Sequence, residues 1–133
     1  MKKEDAVSGI KKLIEKFENL SAEGRIKSYN EAQTRNEFIE PLFEFLGWDM
    51  RNFSSSNEVS TEEKVSNGRV DLAFKLGGIS KFFLEAKSLR TDLDIESYAR
   101  QAINYAWNKG VRWAILTDFE SLKVFYAESE SDN

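Results

Sequence analysis

Between residues 4 and 20, Val7, Ile10, Leu13, Ile14, Phe17 and Leu20 recur at helical spacing among lysines and glutamates, which predicts an amphipathic helix with one buried face. A polar link over 21–28 follows, with Gly24 in it. Asn30, with Gln33 three residues later, reads as the N-cap of a second helix. Its stripe runs through Phe38, Ile39, Leu42, Phe43 and Leu46 to a stop at Gly47. Pro41 interrupts that stripe, so a kink or break is expected after Glu40.

From Trp48 the period shortens. Residues 48–53 read as a strand and 54–57 as a loop. Asn67-Gly68 is a hairpin signal with strands at 64–66 and 69–74, and Gly77-Gly78 turns the chain into a Phe- and Leu-rich strand at 81–88. Helical spacing returns over 92–108 through Ile95, Tyr98, Ala99, Ala102, Ile103 and Ala106, ending at Gly110. Strands at 112–117 and 122–127 flank a turn at 118–121, and 128–133 is a polar tail. A helix carried between two strands of one sheet implies a crossover, hence an α/β fold with a mixed sheet flanked by helices.

At 133 residues the chain is one domain's worth, with a net charge of −4 that excludes a wholly basic, histone-like binder. Cysteine and histidine are absent, which removes Cys/His zinc sites, thiol nucleophiles, disulfides and Ser-His-Asp triads. Hydrolytic chemistry would rest on carboxylates, Lys, Tyr, Ser or Thr with a hard metal ion. No apolar run reaches the roughly 18 residues of a membrane span, and no signal peptide opens the chain, so an intracellular protein is expected.

Charge sits where an apolar strand should have none. In Lys81-Phe-Phe-Leu-Glu-Ala-Lys-Ser88, alternation puts Glu85 and Lys87 on one face. Asp71 repeats the anomaly within Val70-Asp-Leu-Ala-Phe74. If Gly77-Gly78 folds the two strands together, Asp71 meets Glu85, and two such carboxylates repel unless a cation lies between them. Mg²⁺ suits that arrangement, with Lys87 beside it to position water or stabilise phosphate charge. An exposed Glu–Lys pair on an edge strand is the competing reading. Glu62-Glu-Lys64 has the same spacing in a polar segment and reads as solvated surface.

Asp71, then Glu85-Ala-Lys87, then Gln101-Ala-Ile-Asn-Tyr105 on the next helix together resemble the PD-(D/E)XK nuclease superfamily. The Gln-x-x-x-Tyr helix is similar to that of the N-terminal endonuclease domain of type I restriction motor subunits and of type IIG and ISP restriction-modification enzymes. Asn30-Glu-Ala-Gln-Thr-Arg35, Pro41-Leu-Phe43, Leu46-Gly-Trp48, Trp113-Ala-Ile-Leu-Thr-Asp118 and Leu122-Lys-Val-Phe125 extend the resemblance over most of the chain. Val70 stands where the superfamily's name-giving proline would be.

The resemblance implies a restriction-endonuclease-like αβββαβ core plus an extra N-terminal helix, as a single nuclease domain over 1–127. Residues 128–133 would be a tail or the start of a linker. It implies a metal-dependent DNA endonuclease domain of a restriction(-modification) system, hydrolysing phosphodiesters with a metal-activated water. Asp71, Glu85 and Glu31 would be metal ligands, Lys87 the catalytic lysine, and Gln101 and Tyr105 residues beside the site. Tyr105 as a core aromatic is the alternative from the residues alone. Mg²⁺ is the implied cofactor, with Mn²⁺ able to substitute, and the location a prokaryotic cytoplasm.

Double-stranded DNA is the implied partner, with attached methyltransferase, helicase or target-recognition domains supplying sequence choice and transient dimerisation serving double-strand cleavage. Arg35, Arg69, Lys75, Lys81, Arg90 and Arg100 are the cations available to phosphate. The alternative is a catalytically inactive nuclease-fold module used for nucleic-acid binding or protein docking.

Overall fold

A computed structural model describes residues 1–65 and 68–128. Helix α1 (Lys3–Ala22) is followed by a 3-10 turn (Ile26–Ser28) and a helical run made of α2 (Glu31–Thr34), a π-helical turn (Arg35–Ile39) and α3 (Glu40–Phe45). Strands β1 (Val59–Val65), β2 (Gly68–Leu76) and β3 (Ile79–Ala86) come next, then α4 (Glu96–Asn108), β4 (Trp113–Thr117) and β5 (Leu122–Tyr126). The sheet order is β1-β2-β3-β4-β5, antiparallel except where α4 carries the chain over so that β4 runs parallel to β3. This mixed sheet with helices on both faces is the expected restriction-endonuclease-like αβββαβ arrangement, and the additional N-terminal helix is present.

Capping at Asn30 is as the sequence predicts: its side chain accepts from the Gln33 N–H while the Gln33 side chain accepts from the Asn30 N–H. Pro41 does not break the helix. It sits in the first turn of α3, where its missing N–H is tolerated, and the π-helical turn just before it takes up the altered hydrogen bonding. The hairpin between β2 and β3 turns on Gly77 and Gly78, with φ of 60° and 79°, the positive pair a tight two-residue turn requires.

Residues 48–53 are not a strand. Trp48 packs its ring edge-on to Phe74 and Phe82, and the Asp49 carboxylate accepts the Phe53 and Ser54 N–H groups in a tight turn. Local side-chain bonding to backbone therefore replaces a ladder. The first strand is instead the charged segment Val59–Val65, longer than the expected 64–66. It is an edge strand, where charged side chains are usual. Ser66 and Asn67, on which the end of the expected 64–66 strand and the first residue of the Asn67-Gly68 hairpin signal fall, and the tail beyond Glu128 lie outside the described residues.

The core has two layers. On one face, Ile39 and Phe43 pack on Leu72, Phe74 and Leu84, with Phe74 and Phe82 stacked at 4.5 Å. On the other, Ala102, Tyr105 and Ala106 of α4 cover Val70, Ala73 and Phe83. Leu13 and Leu20 of α1 dock on Phe38 and Leu89. Among the described residues no helix is long and apolar enough to cross a membrane.

Candidate active site

The site is built by strand register. Leu72 pairs with Leu84, so the next step of the ladder sets Asp71 beside Glu85 on the face that α4 covers farther along. Both belong to strands whose neighbouring residues are fully buried, which pulls the two carboxylates out of water with them. Glu85 is 9% exposed, and its Oε1 is buried with no hydrogen-bond partner. Burial, then the charge of Asp71, pushes the Glu85 carboxyl up to about 8. Asp71 Oδ2 accepts the Ala86 N–H at 2.7 Å, and burial raises this carboxyl too, against the pull of that hydrogen bond and of Arg35.

Asp71 faces a cavity of about 210 Å³ that Glu31, Ala32, Arg35, Glu62 and Ala86 also line, and Glu85, beside Asp71, is not part of that lining. Glu31 and Arg35, one helical turn apart, reach it from α2 and the π-helical turn. That helix is tethered by Thr34, whose fully buried hydroxyl donates to the Asn30 carbonyl and accepts from the Leu89 N–H just beyond the Glu85–Lys87 segment. Glu31 thus raises both carboxylates across the cavity. Among the described residues no group of three carboxylates stands close enough together to hold one ion.

A hard divalent cation fits Asp71 and Glu85. The unpartnered Glu85 oxygen, and a half-buried Asp71 carboxylate that repels it, are the donors such an ion satisfies, and Mg²⁺ commonly takes only one or two protein carboxylates.

Lys87 follows β3. Its N–H donates to the Thr117 carbonyl at 2.8 Å, its charge acts on Glu85, and its Nζ lies 4.1 Å from the centre of the Tyr98 ring. Tyr98 stands near the start of α4. Gln101 and Tyr105 meet one another: the Gln101 amide donates to the Tyr105 hydroxyl at 2.8 Å. Tyr105 is a core residue under Gly68, and no hydrogen bond joins this pair to Asp71, Glu85 or Lys87 among the described residues.

Three participants escape the sequence reading. Glu62, read as solvated surface, lines the cavity: the β1–β2 register flanks it and Asp71 with the Thr61–Leu72 and Glu63–Val70 pairs. Glu62 also has a φ of 52°, which is uncommon for a side chain of its size. Arg35 turns inward to carboxylates instead of outward to phosphate. Tyr98 carried no signal beyond its place on the helical stripe. Of the other cations, Lys75, Arg90 and Arg100 pair with Glu63, Glu120 and Glu96, while Arg69 and Lys81 are exposed.

No family model matches the chain, and no solved structure matches it. Among curated proteins it is similar to the Type II restriction enzyme and methyltransferase RM.Eco57I of Escherichia coli, with 31% identity over 128 residues. That match takes in 87% of this chain and 13% of RM.Eco57I.

Proposed function

We propose that the chain is a metal-dependent endodeoxyribonuclease module of a restriction-modification system, of the PD-(D/E)XK type, hydrolysing DNA phosphodiesters. The observation that carries this reading is the Asp71–Glu85 pair, side by side on adjacent strands, with a buried Glu85 oxygen lacking any partner and Lys87 just past the end of the strand that bears Glu85. The similarity to a restriction enzyme and methyltransferase supports the restriction role. Because the chain spans 13% of that relative, methylation and target recognition are assigned to other modules.

Asp71 and Glu85 would hold Mg²⁺, or Mn²⁺ in its place, which would supply positive charge to the scissile phosphate and make water acidic enough to attack it. The Ala86 N–H fixes one Asp71 oxygen, leaving Oδ1 toward the cavity. Lys87, steadied over Tyr98, adds an ammonium to stabilise charge on the phosphate or to orient water. Glu31 raises the negative potential that draws the cation in. Gln101, exposed and held by Tyr105, offers its free amide atoms to the DNA backbone. One such site cuts one strand, so a double-strand break takes two copies on the duplex.

The test is nicking of supercoiled plasmid at low salt with Mg²⁺ or Mn²⁺, comparing wild type with Asp71→Ala and Lys87→Ala. Low salt is required because an acidic module holds DNA weakly. Metal-dependent nicking by wild type alone is expected. Absence of both nicking and calorimetric Mn²⁺ binding in the wild type would sink the proposal.

A further inference from the structure

The acidic cavity already contains a cation of its own. Arg35 Nη1 donates to Glu62 Oε2 at 3.1 Å and lies 3.9 Å from Asp71 Oδ1, while its Nε lies 3.3 Å from Glu40 Oε2. The side chain is 21% exposed, so these charges meet partly out of water. The hold is nevertheless loose. Nε has no hydrogen bond of acceptable geometry, Asp71 is beyond hydrogen-bond distance, and neither Glu40 nor Asp71 takes the two-pronged grip that makes arginine–carboxylate pairs strong. One good hydrogen bond, to Glu62, fixes the guanidinium.

We infer that Arg35 is the resident counter-ion of this cavity, neutralising Asp71 and its neighbours when no divalent ion is bound and competing with the ion for the same charge. The inference rests on the metal reading above and adds to it a specific competitor. Glu62 is the parking carboxylate. Its side chain, on a backbone held at a φ of 52° across from Asp71, presents the Oε2 acceptor that holds the guanidinium within 3.9 Å of Asp71 Oδ1. A divalent ion is more highly charged and compact than a guanidinium, so it wins the site, but its apparent affinity is lowered by the arginine's charge. The device offsets part of the carboxylate charge of the pocket, in a module of net charge −4, before metal arrives.

The test compares Mn²⁺ binding by calorimetry and melting temperature in EDTA for wild type, Arg35→Gln and Arg35→Lys. With the arginine's charge gone, Arg35→Gln is expected to bind Mn²⁺ at least about fivefold more tightly, since a unit charge a few ångströms from the site acts on a divalent ion at that scale. In EDTA the same variant is expected to melt below wild type. Arg35→Lys keeps the charge and should hold Mn²⁺ affinity within about twofold of wild type. Arg35→Met, which keeps the apolar stem, replaces the Gln form if the latter does not fold. Equal or weaker Mn²⁺ binding by the neutral variant, with wild type binding normally, overturns the competitor role alone. No Mn²⁺ binding by wild type or variant overturns the metal reading, and the inference with it.

Discussion

Replacing Glu85 by glutamine isolates the conflict at the centre of the site. The carboxyl is 9% exposed, beside Asp71, and burial pushes it up to about 8 from an ordinary 4.5. A raised carboxyl means that folding favours the protonated form. The stability it contributes is full below the unfolded value of 4.5 and is lost as pH rises through about 8. At pH 7 the metal-free protein has lost roughly 2.5 pH units of it, at about 1.4 kcal/mol each, or about 3 kcal/mol. Glutamine keeps the shape and cannot ionise. In EDTA, Glu85→Gln is therefore expected to be more stable than wild type by up to about 3 kcal/mol at pH 7, reduced by whatever its amide leaves unpaired. At pH 5 the gain should nearly vanish.

Urea unfolding followed by tryptophan fluorescence at pH 5 and pH 7 measures both. Saturating Mn²⁺ should reverse the order, stabilising wild type and leaving the glutamine form unchanged. A glutamine form that is equally destabilised at both pH values would refute the argument, because it would mean Glu85 contributes packing or hydrogen bonds and not a frustrated charge.

Three other substitutions probe the scaffold. Tyr98→Leu removes the ring under Lys87 and should lower the nicking rate up to about tenfold with Mn²⁺ affinity unchanged, while Tyr98→Phe stays near wild type; equal rates for both would remove Tyr98 from the site. Thr34→Val leaves the Leu89 N–H without its acceptor and should cost about 1–3 kcal/mol in urea unfolding, a change under about 0.5 kcal/mol counting against the tether. Phe74→Ala empties the centre of the aromatic cluster formed with Phe43, Trp48 and Phe82 and should cost about 3–5 kcal/mol, a loss below 1 kcal/mol showing that the cluster collapses to fill the space.

Elements whose apolar residues recur with a clear period were legible in the sequence: α1, the capped start of α2, the β2–β3 hairpin, α4 and the last two strands. What escaped is set by tertiary partners. Strand β1 has apolar residues only at its ends, Val59 and Val65, and exists because β2 pairs with it. Trp48 looked like a strand residue because an aromatic side chain packing on Phe74 and Phe82 carries the same signature as one within a ladder. At the site, Asp71, Glu85 and Lys87 were legible because charge within an apolar strand demands a reason. Glu62 and Arg35 were not, since charge in a polar stretch is unremarkable until register and helix docking bring the two together.

The placement of the site explains why the rest of the fold is so apolar around it. Glu62, Asp71 and Glu85 occupy successive positions across β1, β2 and β3, so like charges stand side by side across three strands. Such a row opposes folding, and its position is held by what lies behind it: Leu72, Phe74, Leu84 and Ala86 on the reverse face are buried against Ile39 and Phe43. A one-residue slip in the β2–β3 register would turn a strand's carboxylate in against Ile39 and Phe43 and its apolar residues toward the cavity, so the core that stabilises the domain also fixes which face carries the charge. Arg35, which reaches the row, directly follows Thr34, whose hydroxyl accepts the Leu89 N–H and so helps to dock the helix. Weakening that tether should therefore be felt twice, as lost stability and as altered Mn²⁺ affinity, and a Thr34→Val protein that lost stability while retaining wild-type Mn²⁺ binding would show that helix docking and charge balance at the cavity are independent.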